Sequence, residues 1–173
     1  MTDKKTNHQA RFKNLFAKGT EALQNGAVSR AVKFLEQAHH LQPEHNDAAL
    51  NLSGAYILSK KFKKAVRILE PLRERDPHNP MVWTNLGAAY LGNPVLADDG
   101  DQQQAIAAFE RALDLNPVTP NVAYNLGLIH HDRKEFDRAL HWFKKAVQAN
   151  PNDRDARRYI TKLKELTTDS NIN

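Results

Sequence analysis

The chain of 173 residues contains no cysteine, so disulfides, thiolate metal sites and cysteine nucleophiles are excluded. Glycine is scarce, with 7 residues, and helix-favouring alanine, leucine, lysine, glutamine and arginine dominate instead. No apolar run reaches the length of about 18 residues that suggests a membrane-spanning helix. Residues 1–10 are polar and do not resemble a secretory signal. These absences predict a helical, cytoplasmic protein with no segment inserted in a membrane.

Motifs of catalysis and cofactor binding are also missing. The sequence has no glycine-rich phosphate loop, no dinucleotide fingerprint and no nucleophile elbow. Two adjacent histidine pairs, at 39–40 and 130–131, point in different directions on a helix, so neither pair suits one metal ion. We therefore predict no catalytic residue, no metal and no cofactor. An enzyme or enzyme-regulating domain is the less favoured alternative.

Prolines that follow Asn, Asp or Gln mark an internal repeat. The steps from Pro43 to Pro77 and from Pro117 to Pro151 are both 34 residues, whereas the step between Pro77 and Pro117 is 40. This spacing predicts four units, residues 12–45, 46–79, 80–119 and 120–153, of which the third carries six extra residues. The extra residues fall within 92–101.

Each unit holds two apolar stripes at helical spacing, and the first helix carries a small residue in its middle. These small residues are Gly19, Ser53, Gly87 and Gly127, and the alanines expected opposite them are Ala31, Ala65, Ala105 and Ala139. A glycine inside a helix costs about 1 kcal/mol relative to alanine. Its recurrence at one position therefore predicts close packing of the two helices.

The third unit carries the most complete motif. It contains Trp83-x-x-Leu86-Gly87-x-x-Tyr90, then Ala105-x-x-x-Phe109, then Pro117. This pattern resembles the tetratricopeptide repeat (TPR) family. The resemblance implies an all-α fold, a right-handed α-solenoid of four helix-turn-helix units. Residues 154–167 are predicted to form a capping helix, and residues 1–11 and 168–173 to be flexible ends.

Two segments depart from the pattern. In the insertion, Asp99 or Asp101 is expected to cap the following helix. The Asp-Asp-Gly-Asp run there lacks the spacing of a calcium loop, so a surface insertion is favoured over a cation site. Pro71 lies inside the second helix of the second unit and is expected to bend it.

In TPR proteins the first helix of each unit lines a concave surface, so the resemblance implies a protein-binding scaffold whose ligand lies in that groove. The positions that map to the groove are Lys13, Phe16, Thr20, Leu50, Asn51, Gly54, Ile57, Met81, Thr84, Asn85, Ala88, Tyr124, Asn125, Leu128, His131 and, on the closing helix, Tyr159. We call this set the groove face. Its apolar members are expected to form a contact surface, unless they tuck against neighbouring helices.

Three asparagines, Asn51, Asn85 and Asn125, occupy one position in successive units, whereas the first unit has Ala17 there. Because an amide donates and accepts, such a ladder can hold a peptide backbone of any sequence. The arrangement is similar to that of O-linked N-acetylglucosamine transferases. The alternative is that these residues serve helix packing.

The groove lacks the cations of the carboxylate clamp of TPR co-chaperones, because Phe16, Met81 and Asn85 stand at its basic positions and only Asn51 matches. That partner class is therefore disfavoured. The net charge of +5 leaves a nucleic-acid-binding α-solenoid as the runner-up function, although Lys13 and His131 are the only cationic candidates in the groove. Weak self-association through the open ends is a further alternative.

Overall fold

The computed structural model describes residues 2–93 and 96–169, with side chains from residue 6 to residue 166 outside the gap. Over these residues the chain forms nine helices and no strand. The helices are α1 (Thr2–Gln24), α2 (Val28–Leu41), α3 (Asn46–Leu58), α4 (Phe62–Arg75), α5 (Pro80–Leu91), α6 (Asp99–Leu115), α7 (Val122–Asp132), α8 (Phe136–Ala149) and α9 (Arg154–Asp169). The predicted all-α class is confirmed.

The helices stack in chain order. Helices α1 and α2, α3 and α4, α5 and α6, and α7 and α8 form closely packed pairs, and the second helix of each pair packs on the next helix along the chain. The first helices α1, α3 and α5 also contact one another. Such nearest-neighbour packing without a central core is the architecture of a helical solenoid.

Glycines allow the two helices of a pair to approach closely. A methyl group at Gly87 would lie 2.6 Å from the Phe109 ring, and one at Gly127 would lie 2.7 Å from the Phe143 ring. The nearest atoms thus belong to the large side chain four residues after the predicted alanine. Because both rings are fully buried, only glycine fits at these two points.

Tyrosines in the first helices bond to carboxylates of the preceding pair. The Tyr56 hydroxyl donates to Oε1 of Glu36 over 2.7 Å, and the Tyr90 hydroxyl donates to Glu70. In the fourth unit the equivalent residue is His130, which lies instead beside Glu135 of its own pair. In the second and third units the residue at this position therefore bonds to the preceding unit, whereas in the fourth unit it contacts the turn of its own helix pair.

The insertion lengthens both a connection and a helix. Helix α6 has 17 residues where α4 has 14, and the connection from α5 spans residues 92–98, of which 94 and 95 lie outside the described residues. The expectation that Asp99 or Asp101 caps α6 was wrong. Asp98 is the N-cap, and its carboxylate accepts from the Asp101 amide over 2.8 Å, while the Asp101 carboxylate accepts from the Asp98 amide. This capping box satisfies two amides at once.

The two ends of the array differ from the sequence-based expectation. Residues 2–11, expected to be flexible, are helical and continuous with α1, and Gln9 bonds to Gln42 after α2. Helix α9 starts at Arg154, as predicted, and packs on α8 through the buried Ala156 and Leu163. It runs two residues past the expected end at 167, and residues 170–173 lie outside the described residues.

Pro71 does not end its helix. It is exposed, and α4 continues beyond it to Arg75. Since proline has no N–H, the carbonyl of Arg67 loses its intrahelical partner at an exposed site where water can replace it. In the described part of the chain, no helix is both long and apolar enough to cross a bilayer.

Candidate functional site

The members of the groove face lie on the first helices α1, α3, α5 and α7 and on the closing helix α9. Phe16, Leu50 and Ile57 are half-buried and pack against the core of the first three pairs, and Tyr124 and Leu128 pack against that of the last pair. Met81 differs from these residues, because 45% of its surface is exposed. Most of the apolar groups thus tuck partly against neighbouring helices.

Aromatic rings order the N-terminal end of the groove face. The ring of Phe16 stacks on that of buried Phe12, with centroids 5.8 Å apart, and the imidazole of His45 packs against both. His45 is also the N-cap of α3, since its Nδ1 accepts from the Ala48 amide over 3.3 Å. One histidine therefore begins α3 and fixes the Phe16 ring.

Hydroxyl groups hold two of the three asparagines. Asn51 donates through Nδ2 to the Thr20 hydroxyl over 3.0 Å, and Asn85 donates through Nδ2 to the Ser53 hydroxyl over 3.2 Å. Each bond joins an asparagine to the first helix of the preceding unit. The amide keeps its second N–H and its carbonyl oxygen, which gives it one donor and one acceptor for a further partner.

Asn125 differs from the other two. The positions equivalent to Ser53 and Thr20 in the third unit are Gly87 and Ala88, which have no hydroxyl. Asn125 makes no side-chain hydrogen bond with any described residue. Its amide is therefore oriented only by packing, and its donors and acceptors have no partner among the described residues.

Helix α9 completes the C-terminal end of the groove face. The Tyr159 ring stacks on Phe143 with centroids 4.6 Å apart, and it meets the rings of His131 and Tyr124 edge-on at 5.2 and 6.4 Å. Burial raises the pKa of Tyr124. The closing helix thus places an aromatic ring in contact with His131 and Tyr124.

A polar network that the sequence analysis missed lies at the turn between α7 and α8. Glu135 accepts from Nε of Arg133 over 3.0 Å and from Arg138 over 3.1 Å, and Nδ1 of buried His130 lies 2.7 Å from its Oε2. The hydrogen bonds from Arg133 and His130 lower the pKa of Glu135 to about 2. Arg133 also pairs with Asp99 at the start of α6, so the network ties the third unit to the fourth.

In the part of the chain that the structure describes, no group of three histidine or carboxylate side chains is placed to hold a metal ion. The groove face itself contains amide, aromatic and apolar groups, which can form hydrogen bonds and apolar contacts.

Helix pairs that stack in chain order and pack on their neighbours define the class of helical-repeat proteins. Models of the family described as tetratricopeptide repeat match residues 22–89 and residues 94–154. Together these stretches cover most of the chain, so the chain belongs to the tetratricopeptide repeat family. The family resemblance inferred from the sequence is confirmed.

Relatives with this repeat are much longer proteins. The chain is 24% identical over 128 residues to Hsp70-Hsp90 organizing protein 2 of Arabidopsis thaliana, covering 74% of this chain and 21% of that protein. It is 27% identical over 96 residues to the peroxisomal targeting signal receptor of Kluyveromyces lactis, covering 56% of this chain and 16% of that protein. The chain therefore matches no more than about a fifth of either relative, 21% and 16%.

A solved structure of a thermophilic TPR protein from Thermus thermophilus matches with a TM-score of 0.74. The two chains are 21% identical, and the match covers 88% of this chain and 80% of that one. At this identity the likeness shows the fold.

Proposed function

We propose that the protein is a scaffold that holds an extended segment of a partner protein along the groove face. Asn51, Asn85 and Asn125 would contact the backbone of that segment. The observation that carries the proposal is that the side-chain amides of Asn51 and Asn85 are each held by one hydrogen bond. Thr20 and Ser53 hold them in place while one N–H and the carbonyl oxygen of each remain available.

Backbone recognition suits a scaffold because it does not depend on the sequence of the ligand. A peptide group presents one donor and one acceptor, which is what each held amide offers in return. Fixing the amides before binding reduces the conformational entropy lost on association. The half-buried apolar groups beside them would supply contact area for the ligand's side chains.

The names of the relatives support a protein ligand without identifying it. One relative is named for organizing Hsp70 and Hsp90, and the other is named as a receptor for a targeting signal. In this chain Phe16, Met81 and Asn85 occupy positions where a clamp for an acidic C-terminal tail needs cations. We therefore expect an internal extended segment as the ligand of the groove face.

Affinity capture from a native lysate tests the proposal. Wild type is compared with the triple variant Asn51→Ala, Asn85→Ala, Asn125→Ala and with the single variant Asn125→Ala. Loss of the captured partner from the triple variant, and weaker capture by the single variant, is the expected result, because each alanine removes backbone hydrogen bonds.

The stability of the variants separates binding from packing. Asn125 has no side-chain bond with described residues to lose, so Asn125→Ala should unfold at the same temperature as wild type. Thr20→Val removes the support of Asn51 but keeps its amide, so it should lower the unfolding temperature and should weaken capture less than the triple variant does. Equal capture by wild type and the triple variant would show that the asparagines serve packing alone.

A further inference from the structure

A second surface, which shares no residue with the groove face, lies where the turn between α3 and α4 approaches the end of α5. A cleft of about 790 Å³ opens there. Its apolar wall contains Phe62, Leu91 and Leu96, and Leu96 is 78% exposed. Leu96 and Ala97 belong to the insertion of the third unit, so the extra residues supply one side of the cleft.

The rim of this cleft is strongly basic. Its cations are Lys60, Lys61, Lys63, Lys64 and Arg67, and Asp101 is the acidic residue in the described lining. Lys64 lies 3.7 Å from Glu36 and over the ring of Tyr56. The other four cations form no ion pair with any described residue. A cluster of unpaired positive charge around apolar surface favours a ligand of opposite charge.

The equivalent turn of the fourth unit shows that the fold does not require this charge. There the phenylalanine is retained, as Phe136, but Glu135 and Asp137 stand at the positions of Lys61 and Lys63. Glu135 is paired with Arg133 and Arg138, so cations and anions are balanced. The unbalanced cations therefore belong to the one turn that faces the insertion.

We propose that this basic cleft binds an acidic segment of a partner protein, with one bulky apolar side chain in the cleft and flanking carboxylates on the lysines. The rim supplies charge-assisted hydrogen bonds, and the apolar wall supplies an anchor. The surface is separate from the groove face, so the protein can hold two segments at once.

A polypeptide fits the cleft better than a single-stranded nucleic acid does. Nucleic-acid strands are held by base stacking on exposed aromatic faces. The Phe62 ring is half-buried and packs against Gly92, where a methyl group would lie 3.4 Å from Cδ2. The Tyr90 hydroxyl is bound to Glu70, which fixes that ring as well.

The test measures binding of a labelled peptide of Asp and Glu with one central Phe. Wild type is compared with the double variant Lys61→Glu, Lys63→Asp, which copies the acidic residues of the fourth unit. Both lysines are exposed, so the variant should fold. We expect binding to weaken about tenfold or more, since two attractions become two repulsions, and to weaken with added salt.

The control carries the same change of net charge elsewhere, as Lys33→Glu with Lys144→Asp on exposed positions of α2 and α8. This control should bind the peptide like wild type. Leu96→Ala, and a peptide with Ser in place of Phe, should each weaken binding by several-fold. Equal binding by the two double variants would overturn the proposal. Tighter binding of oligouridine or of phosphatidylserine vesicles than of the peptide would also overturn it, in favour of those ligands.

Discussion

Gly87 and Gly54 lie in equivalent first helices but in opposite surroundings. Gly87 is buried against Phe109, whereas a methyl group at Gly54 would meet only Nδ2 of Asn85, at 3.8 Å. The same substitution therefore has two different physical consequences in one molecule. Helix propensity alone favours alanine at both positions by about 1 kcal/mol.

Gly87→Ala should destabilise the protein by up to about 2 kcal/mol, because overpacking a buried contact costs roughly 1–3 kcal/mol and the gain in helix propensity offsets about 1 kcal/mol of that cost. Gly54→Ala should leave stability unchanged or raise it by up to about 1 kcal/mol. Urea denaturation of both variants measures the difference. Equal effects of the two alanines would show that the glycine-to-ring contact does not limit the approach of the helices.

Glu135 should make the stability of the protein depend on pH in the acid range. Its folded pKa of about 2 lies below the ordinary value of 4.5, so its stabilising contribution is complete above pH 4.5 and is lost as the pH falls towards 2. The free energy of unfolding of wild type should therefore exceed that of Glu135→Gln at neutral pH. The two should converge across this window, as measured by urea denaturation at successive pH values.

Glu110→Gln is the matched control for this titration. Glu110 occupies the position equivalent to Glu36 and Glu70, but it is exposed and makes no ion pair with a described residue. Its substitution should leave the pH profile as it is in wild type. A profile for Glu135→Gln that runs parallel to wild type at all pH values would contradict the assignment.

At the scale of helices, the hydrogen bond from the Tyr90 hydroxyl to Glu70 joins α5 to α4. Burial, followed by the hydrogen bond to Glu70, raises the pKa of Tyr90 to about 12. Tyr90→Phe should cost roughly 1.5–3 kcal/mol, the range for a hydrogen bond to a charged group. Tyr124→Phe should cost less, since the Tyr124 hydroxyl bonds to no described residue. Thermal unfolding of the two variants tests this, and an equal loss in both would contradict it.

The helices were predictable because the same sequence pattern occurs in four units, and each occurrence predicts the same pair of helices. Helix α3 begins at Asn46 and α5 at Pro80, the first residues of two predicted units. A proline follows each second helix and cannot extend it. Proline is accepted in a helix only at its start, so each proline marks the boundary between two helices. Residues 2–11 lack this support, since they have no apolar stripe, and only their continuity with α1 makes them helical.

The contacts of the candidate site were less predictable than its positions. The sequence placed Asn51 and Asn85 in register, but the hydroxyls that hold them come from two different registers, those of Thr20 and Ser53. Aligning the units would have revealed both hydroxyls as candidates without choosing between them. The partner of His130 was hidden for a related reason, because a histidine replaces the tyrosine found in the preceding units.

At the scale of the whole molecule, the groove face and the basic cleft present different chemistry from one array. The first offers held amides and aromatic rings along the first helices, and the second offers unpaired cations at one turn. The principal helix contacts join neighbouring units, so substitutions at Lys61 and Lys63 in the second unit should not alter Asn125 in the fourth. The contribution of Asn125 to binding can therefore be tested independently of the basic cleft.

Removing the closing helix should expose the end of the array to self-association. A chain ending at residue 152 loses α9, and with it the Tyr159 ring that covers Phe143 and the buried Leu163. Each large apolar side chain that returns to water costs roughly 1.5–3 kcal/mol, so the unfolding temperature should fall. Light scattering at two concentrations should show association of the shortened chain, whereas a chain ending at residue 169 should behave like the full one. A shortened chain that stays monomeric with an unchanged unfolding temperature would mean that α9 is not the solvating cap of the solenoid.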